Sequence, residues 1–263
     1  MSYTGFERIT VSVTDGIGTV ALTGRDALNR VDERMHEELA QVFTRVARDP
    51  AIRVVVLTGH GKHFCAGGDL EWMRDARLGH CDLPSIEDAK AIIFSLLDLR
   101  KPVIAKISGA CVGLGATLAL FCDTIFAAAD ATISDPHVKV GIVAGDGGAI
   151  IWPQLIGYAR AKEYLMTGDA LSGARAAEIG LINHAVDPGE LDETVQAYAE
   201  RLRDGAYQAI CSTKVAVNIG LKQLAHSILD ASVAYEMETF RTHDHAEAVD
   251  AFLEKRAPRF QGR

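Results

Sequence analysis

Two apolar runs, residues 52–57 and residues 103–107, each lead into a glycine-rich turn, and this repetition constrains the fold more than any other feature of the chain. Near-continuous runs of this kind suit strands buried on both faces, and residues 124–128 read the same way. Helical stretches fall between them. Met35, Leu39, Val42, Phe43 and Val46 lie on one face of a helix, with Pro50 just beyond its end. Upstream, residues 9–13 and 18–22 flank Asp15-Gly16, a dipeptide that favours a tight turn, so a hairpin is expected there. Strands alternating with helices imply an α/β fold with several near-parallel strands, and the repeated strand pairs suggest stacked ββα units. From Gly189 onward the pattern is helical over residues 191–202, 206–221, 228–240 and 246–252. The expected division is therefore a core over residues 1–188 and a C-terminal helical region over 189–263. That region serves oligomer contacts or packs on its own core.

Charge narrows the partners. The net charge of −8 repels phosphate backbones, which disfavours nucleic acid, and an anionic ligand must rely on local basic groups or backbone N–H donors. The five cysteines are scattered, odd in number and without a CxxC pair, which argues against a disulfide framework or a zinc ribbon and fits a reducing, cytoplasmic setting. The N-terminal segment has no apolar signal core and no run reaches membrane-spanning length, so no membrane association is expected.

The first turn lies in HFCAGGDLEWM, residues 63–73, after a strand ending VVVLTG. Gly67 and Gly68 let backbone approach a ligand closely, although this segment alone is equally compatible with a plain tight turn. The second lies in KPVIAKISGACVGLGATLALFCD, residues 101–123, where Gly109, Gly113 and Gly115 separate a strand from an apolar helix. Its GxGxxL pattern lacks the third glycine and the acidic ribose partner of a dinucleotide site, and its lysine precedes the strand, unlike a Walker loop. Read together, each turn ends a buried strand and each can aim an N–H at one common point. That is the arrangement of an oxyanion hole, in which one donor is worth roughly 3 kcal/mol.

HFCAGGDL and CVGLGATLALFCDTIFAA resemble the two oxyanion turns of the enoyl-CoA hydratase/isomerase (crotonase) superfamily. The likeness continues through DPHVKVGIVAGDGGAIIWPQLIG, AKEYLMTGDALSGARAAEIGLINHAV and EAVDAFLEKR, covering nearly the whole chain in order. The resemblance implies a crotonase-like spiral of ββα units with a C-terminal helical oligomerisation region, assembled as a homotrimer or dimer of trimers. It implies oxyanion donors at the N–H groups of Gly68 and Leu114. It also implies an acyl-CoA or enoyl-CoA substrate carried on coenzyme A as a handle, no permanently bound cofactor, and a place in fatty acid metabolism. The DALNR stretch matches the family's loop over coenzyme A, with backbone around Ala27 and Leu28 on the adenine and pantetheine and Ala66 on the same wall. Arg25 is a candidate phosphate partner or a solvated arginine. Asp69, Leu70, Trp72, Gly113 and Thr117 fall along the expected acyl channel, and the late residues Phe252 and Lys255 are placed to reach a coenzyme A, that of a neighbour included.

The pattern breaks at the acid/base positions. Family hydratases use two glutamates, and the counted positions hold Thr117 and His137 instead. A threonine hydroxyl is no general base without a partner, whereas imidazole titrates near neutrality, so His137 is a candidate. The plain alternative is a histidine hydrogen-bonded in the pocket wall. Asp146, in GIVAGDGGAI, lies about one residue past the turn where isomerase and dehalogenase members carry a catalytic aspartate. It is the other candidate, with helix N-cap duty as the competing role. Burial beside apolar residues would raise its pKa. Asp69 is expected to fix its own turn as well, and Asp123 to cap a helix-to-strand junction. His243 and His245 diverge on a helix, so no metal site is expected. The expected activity is hydratase/isomerase-type, leaning to isomerisation because that needs a single acid/base group. Thioester hydrolysis or decarboxylation on the same scaffold, a catalytically silent acyl-CoA-binding subunit and RNA binding are the alternatives, the last disfavoured by charge. The loops around residues 72–85 are expected to set pocket width.

Overall fold

A computed structural model describes residues 3–82 and 85–263. Met1 and Ser2 of the N-terminal segment, and Leu83 and Pro84 of the expected acyl-channel loop, lie outside the described residues. The hairpin forms as expected, with β1 (Ile9–Thr14) antiparallel to β2 (Ile17–Leu22) around Asp15 (φ 48°) and Gly16 (φ 80°). Such positive φ at both central residues gives a turn whose twist matches the strands. Helix α1 (Glu33–Arg48) buries the forecast face, Met35, Leu39, Val42, Phe43 and Val46, and is capped by Asp32, whose side chain accepts the Met35 N–H.

Next come β3 (Val54–Gly59), α2 (Leu70–Arg77), α3 (Ile86–Asp98), β4 (Val103–Ile107), β5 (Ala110–Val112), α4 (Leu114–Leu120), β6 (Thr124–Ala128), β7 (Thr132–Ser134), a 3-10 turn (His137–Val140), α5 (Gly148–Thr167), β8 (Leu171–Ser172), α6 (Gly173–Glu178) and β9 (His184–Val186). The large sheet runs β1-β2-β3-β4-β6-β9, parallel from β2 onward, and β5-β7-β8 make a second sheet. The chain passes between the sheets four times, from β4 to β5, β5 to β6, β6 to β7 and β8 to β9, which is the ββα spiral. β3, β4 and β6 are buried almost throughout, as strands covered on both faces must be.

Three details depart from the sequence reading. The second glycine turn does not follow β4 directly. It follows β5, a three-residue strand of the other sheet that the small residues of SGACVG concealed. The helices expected over residues 206–221 and 228–240 are one, α8 (Tyr207–Thr239), because the intervening KQLAHS holds no glycine or proline to break it. α8 packs against α3 and α5, between α7 (Leu191–Asp204), which covers β3 and β4, and α9 (His243–Leu253), which meets α2. Asp123 caps no helix. Its carboxylate accepts the Val103 N–H at 2.7 Å and pairs with Lys214 at 2.8 Å, fastening α8 to the start of β4.

Candidate active site

Backbone pairing brings the two glycine turns side by side. Cys65 forms a parallel bridge to Cys111 of β5: the Cys65 N–H donates to the Ala110 carbonyl at 2.9 Å, and the Val112 N–H donates back to Cys65 at 2.9 Å. Just beyond, a Cβ on Gly113 would stand 3.7 Å from the Cα of Gly67, and one on Gly115 only 2.7 Å from the Cβ of Cys65. A side chain at Gly115 would force the turns apart, and Gly113 is held to glycine by its φ of 55°.

Val31 aims the first donor. Its N–H donates to the Gly67 carbonyl and its carbonyl accepts the Asp69 N–H, both at 2.9 Å. Successive N–H groups of an extended segment point to opposite sides, so that of Gly68 faces away from Val31. Leu114 is the first residue of α4, where N–H groups have no intrahelical acceptor. Among the described residues neither N–H donates to a protein acceptor, and Gly68 and Leu114 line one cavity of about 50 Å³.

Acid/base groups lie in the same cavity. Asp146 follows the 3-10 turn, and its Oδ1 accepts the Thr117 hydroxyl at 3.1 Å and the Gly148 N–H at 3.4 Å. The N-cap of α5 is Gly147, so the competing capping role reduces to that long bond. His137 lies between two carboxylates: Nδ1 is bonded to Asp135 Oδ1, and Nε2 is 3.5 Å from Asp146 Oδ2. Asp135 and Asp146 raise the His137 pKa well above its ordinary value, overcoming the opposite effect of burial. Burial raises the Asp146 carboxyl pKa, His137 opposing. Glu236, reaching in from α8, is pushed up to about 8 by burial and by Asp146. His36, stripped of water beside Trp72, is lowered to about 4 and is neutral near pH 7. Asp135, His137 and Asp146 are close enough to surround a cation, with Asp135 bonded to His137 Nδ1 and Asp146 facing Nε2.

A wider groove of about 440 Å³ opens from this cavity, sharing Gly68, Met73 and His137 with it. Leu28, Ala66, Leu70, Gly113 and a largely exposed Phe252 line the groove, while Trp72 lines the inner cavity. Asp69 caps α2 by accepting the Glu71 N–H, and Thr117 is buried behind Asp146. Five forecast residues line neither space: Asp69, Thr117, Ala27, Arg25, which is turned to solvent and paired with Asp32 at 3.1 Å, and Lys255, which follows α9 on the surface. The groove's lysine and arginine side chains are Arg30, Lys139 and Arg256 instead, each also paired with a carboxylate, of Asp26, Asp169 and Glu247 in turn. Sequence reasoning missed these three along with Asp135, Glu236, His36 and Met73. His245 is buried, with Nδ1 on the Val140 carbonyl, and takes no part in the cavity.

The family model described as enoyl-CoA hydratase/isomerase matches residues 12–263. The chain is 35% identical to 1,2-epoxyphenylacetyl-CoA isomerase of Escherichia coli (strain K12), across 98% of this chain and 99% of that one. It is 34% identical to (E)-benzylidenesuccinyl-CoA hydratase of Thauera aromatica, across 97% and 99%. The crystal structure of an enoyl-CoA hydratase/isomerase from Mycobacterium paratuberculosis superposes with a TM-score of 0.88 at 35% identity, covering 92% of this chain and 97% of that one. Two adjoining glycine turns with unshared N–H groups, set in this spiral, agree with those matches, and the chain is an enzyme of the enoyl-CoA hydratase/isomerase family, in the crotonase superfamily, with hydratase/isomerase-type acyl-CoA chemistry.

Proposed function

We propose that the enzyme moves a double bond along an enoyl-CoA thioester, with the thioester oxygen held by the N–H groups of Gly68 and Leu114 and Asp146 exchanging the proton at Cα. The observation that carries this reading is the meeting, in one cavity, of two unshared backbone donors and a buried carboxylate. As Cα–H breaks, negative charge moves to the thioester oxygen, where preorganised donors act without reorganising. Thr117 stands one helical turn from Leu114 and holds Asp146, which sets the base beside the oxyanion rather than far along the acyl chain. His137, positive between Asp135 and Asp146, adds charge near the forming enolate and keeps part of the Asp146 population ionised. Thr117 in α4 and His137 in the 3-10 turn stand where a water-adding pair has its two glutamates, which favours isomerisation over hydration.

Coenzyme A is the substrate handle and no permanently bound cofactor is required. Leu28, Ala66 and Phe252 give the groove an apolar wall for pantetheine, and Arg30, Lys139 and Arg256 supply charge for phosphates. Val217, Ile219 and Tyr235, exposed along α8, support assembly as a trimer or dimer of trimers. No helix among the described residues is long and apolar enough to cross a membrane, and five free cysteines support a reducing, cytoplasmic setting with a role in fatty acid metabolism. The test is to offer purified protein crotonyl-CoA and a 3-enoyl-CoA, following absorbance and mass. Wild type should migrate the double bond, and Asp146→Ala should lose at least about 100-fold, the size of a lost acid/base group. Equal activity in the variant refutes the assignment of Asp146.

A further inference from the structure

Glu236 is the least explained charge-bearing side chain in the molecule. It is 8% exposed on α8, lines the inner cavity with Asp146 and Leu114, and its carboxyl has no hydrogen-bond or ion-pair partner among the described residues. A buried carboxyl left without a protein partner costs stability, so its presence calls for a ligand or a role. Gly145 admits α8 at close range: a Cβ there would stand 2.4 Å from the Ser232 carbonyl oxygen, 2.6 Å from Glu236 Cβ and 2.8 Å from Oε2. Glycine at 145 therefore lets α8 bring this carboxyl against the segment that carries Asp146. Its companions on α8 and just beyond, Val233, Met237 and Phe240, are apolar and line the same cavity. Asp146, in contrast, is tied through Thr117 to the helix that carries the Leu114 donor. The two carboxyls approach the cavity from different elements, one beside the oxyanion and one from the apolar acyl side.

We propose that Glu236 is a second catalytic residue, a neutral acid that delivers a proton to the acyl carbon remote from the thioester while Asp146 removes one from Cα. This rests on the isomerase reading above. For a 3-enoyl thioester, Asp146 takes the proton from C2, and the C2–H electron pair runs into the thioester as a dienolate held by Gly68 and Leu114. Glu236 then protonates C4, so the C3=C4 bond becomes C2=C3. Asp146 ends protonated and Glu236 ionised, and one proton passed between them through solvent resets both. No oxidant, reductant or further reactant is consumed. The elevated pKa of Glu236, about 8, keeps the acid loaded near neutrality. Two carboxyls on facing elements thus divide the labour that a lone base would perform by carrying one proton between two carbons.

The experiment separates the two proton transfers. Wild type, Glu236→Gln, Glu236→Asp and Asp146→Asn are compared for 3-enoyl-CoA isomerisation and for exchange of the Cα hydrogens of butyryl-CoA in D2O, which needs the base and the oxyanion donors alone. Glu236→Gln should lose at least about 100-fold in isomerisation kcat while Cα exchange stays within about threefold of wild type. Glu236→Asp should recover part of the lost turnover, since it restores a proton but not full reach. Asp146→Asn should lose both reactions. Isomerisation by Glu236→Gln within about threefold of wild type overturns the role of Glu236 and leaves that of Asp146 standing. Parallel loss of exchange and isomerisation in Glu236→Gln also overturns it, because the carboxyl then acts through Asp146. A wild type that exchanges Cα hydrogens but moves no double bond overturns the isomerase reading and, with it, this proposal.

Discussion

Thr117→Val offers a measurement of how the cavity tunes its base. The hydroxyl donates to Asp146 Oδ1 at 3.1 Å and stabilises the ionised carboxylate, leaving only the longer Gly148 N–H bond when it is removed. A hydrogen bond to a charged group contributes about 1.5–3 kcal/mol, a factor of roughly 10 to 150 in an equilibrium, so the loss should raise the Asp146 pKa further. The sign follows from the charge state: the bond favours the anion, its loss favours the acid, and a base works only when ionised. In a profile of kcat/KM for 3-enoyl-CoA from about pH 5 to about 9, the acid limb should move upward, with activity recovering as pH rises toward the alkaline limb at which Glu236, with a pKa of about 8, gives up its proton. The pair is nearly isosteric and residue 117 is fully buried, so circular dichroism of the variant should match wild type. An unmoved acid limb, or a loss equal at every pH, would refute the claim that Thr117 acts by holding the Asp146 charge.

Three further outcomes are expected. Gly115→Ala places a Cβ 2.7 Å from Cys65 Cβ and 3.1 Å from its carbonyl; overpacking of this kind costs about 1–3 kcal/mol, and calorimetry should record a fall in Tm of about 2–4 °C for each kcal/mol. Arg256→Ala should raise KM for the coenzyme A thioester several-fold with kcat nearly unchanged, and should not alter kinetics on the same acyl group carried by pantetheine alone, since Arg256 lines the outer groove. Glu236 binds its proton more tightly folded, with a pKa of about 8 against 4.5, so its contribution to stability is complete below about 4.5 and is lost as pH rises through about 8. Thermal melts across that window should therefore show Glu236→Gln losing less stability than wild type as pH rises, and parallel curves would refute the assignment.

Much of the scaffold is written locally. The buried strands, the hairpin at Asp15-Gly16 and the apolar face of α1 depend on neighbours within a few residues, and the structure has all three. The site is legible in its backbone, at Gly68 and Leu114, because glycine marks the turns that carry it, and in His137 and Asp146, to which the family resemblance points. Its side chains come from elements far apart in sequence. Asp135 precedes His137 by two residues and could have been noticed, since a carboxylate so near an imidazole suggests a pair. Glu236 left a subtler mark, a glutamate sharing the buried face of α8 with Ala225, Leu229, Ser232 and Val233. Nothing local distinguishes Arg30 and Arg256 from Arg25 and Lys255. Which cations face the groove depends on where the chain ends of α1 and α9 come to rest.

The bridge between Cys65 and Cys111 gives the two proposed oxyanion donors an unusual immunity. Both belong to the main chain, and their spacing is set by a strand ladder. Exchange of one side chain for another cannot delete an amide hydrogen, and proline is the sole residue that can. Residues 117, 137, 146 and 236 are free of that protection. One scaffold can thus change its reaction by drift at a few side chains while its ability to hold an enolate passes through unaltered. The divergence of the acid/base set beside an intact pair of turns is the outcome such a division permits.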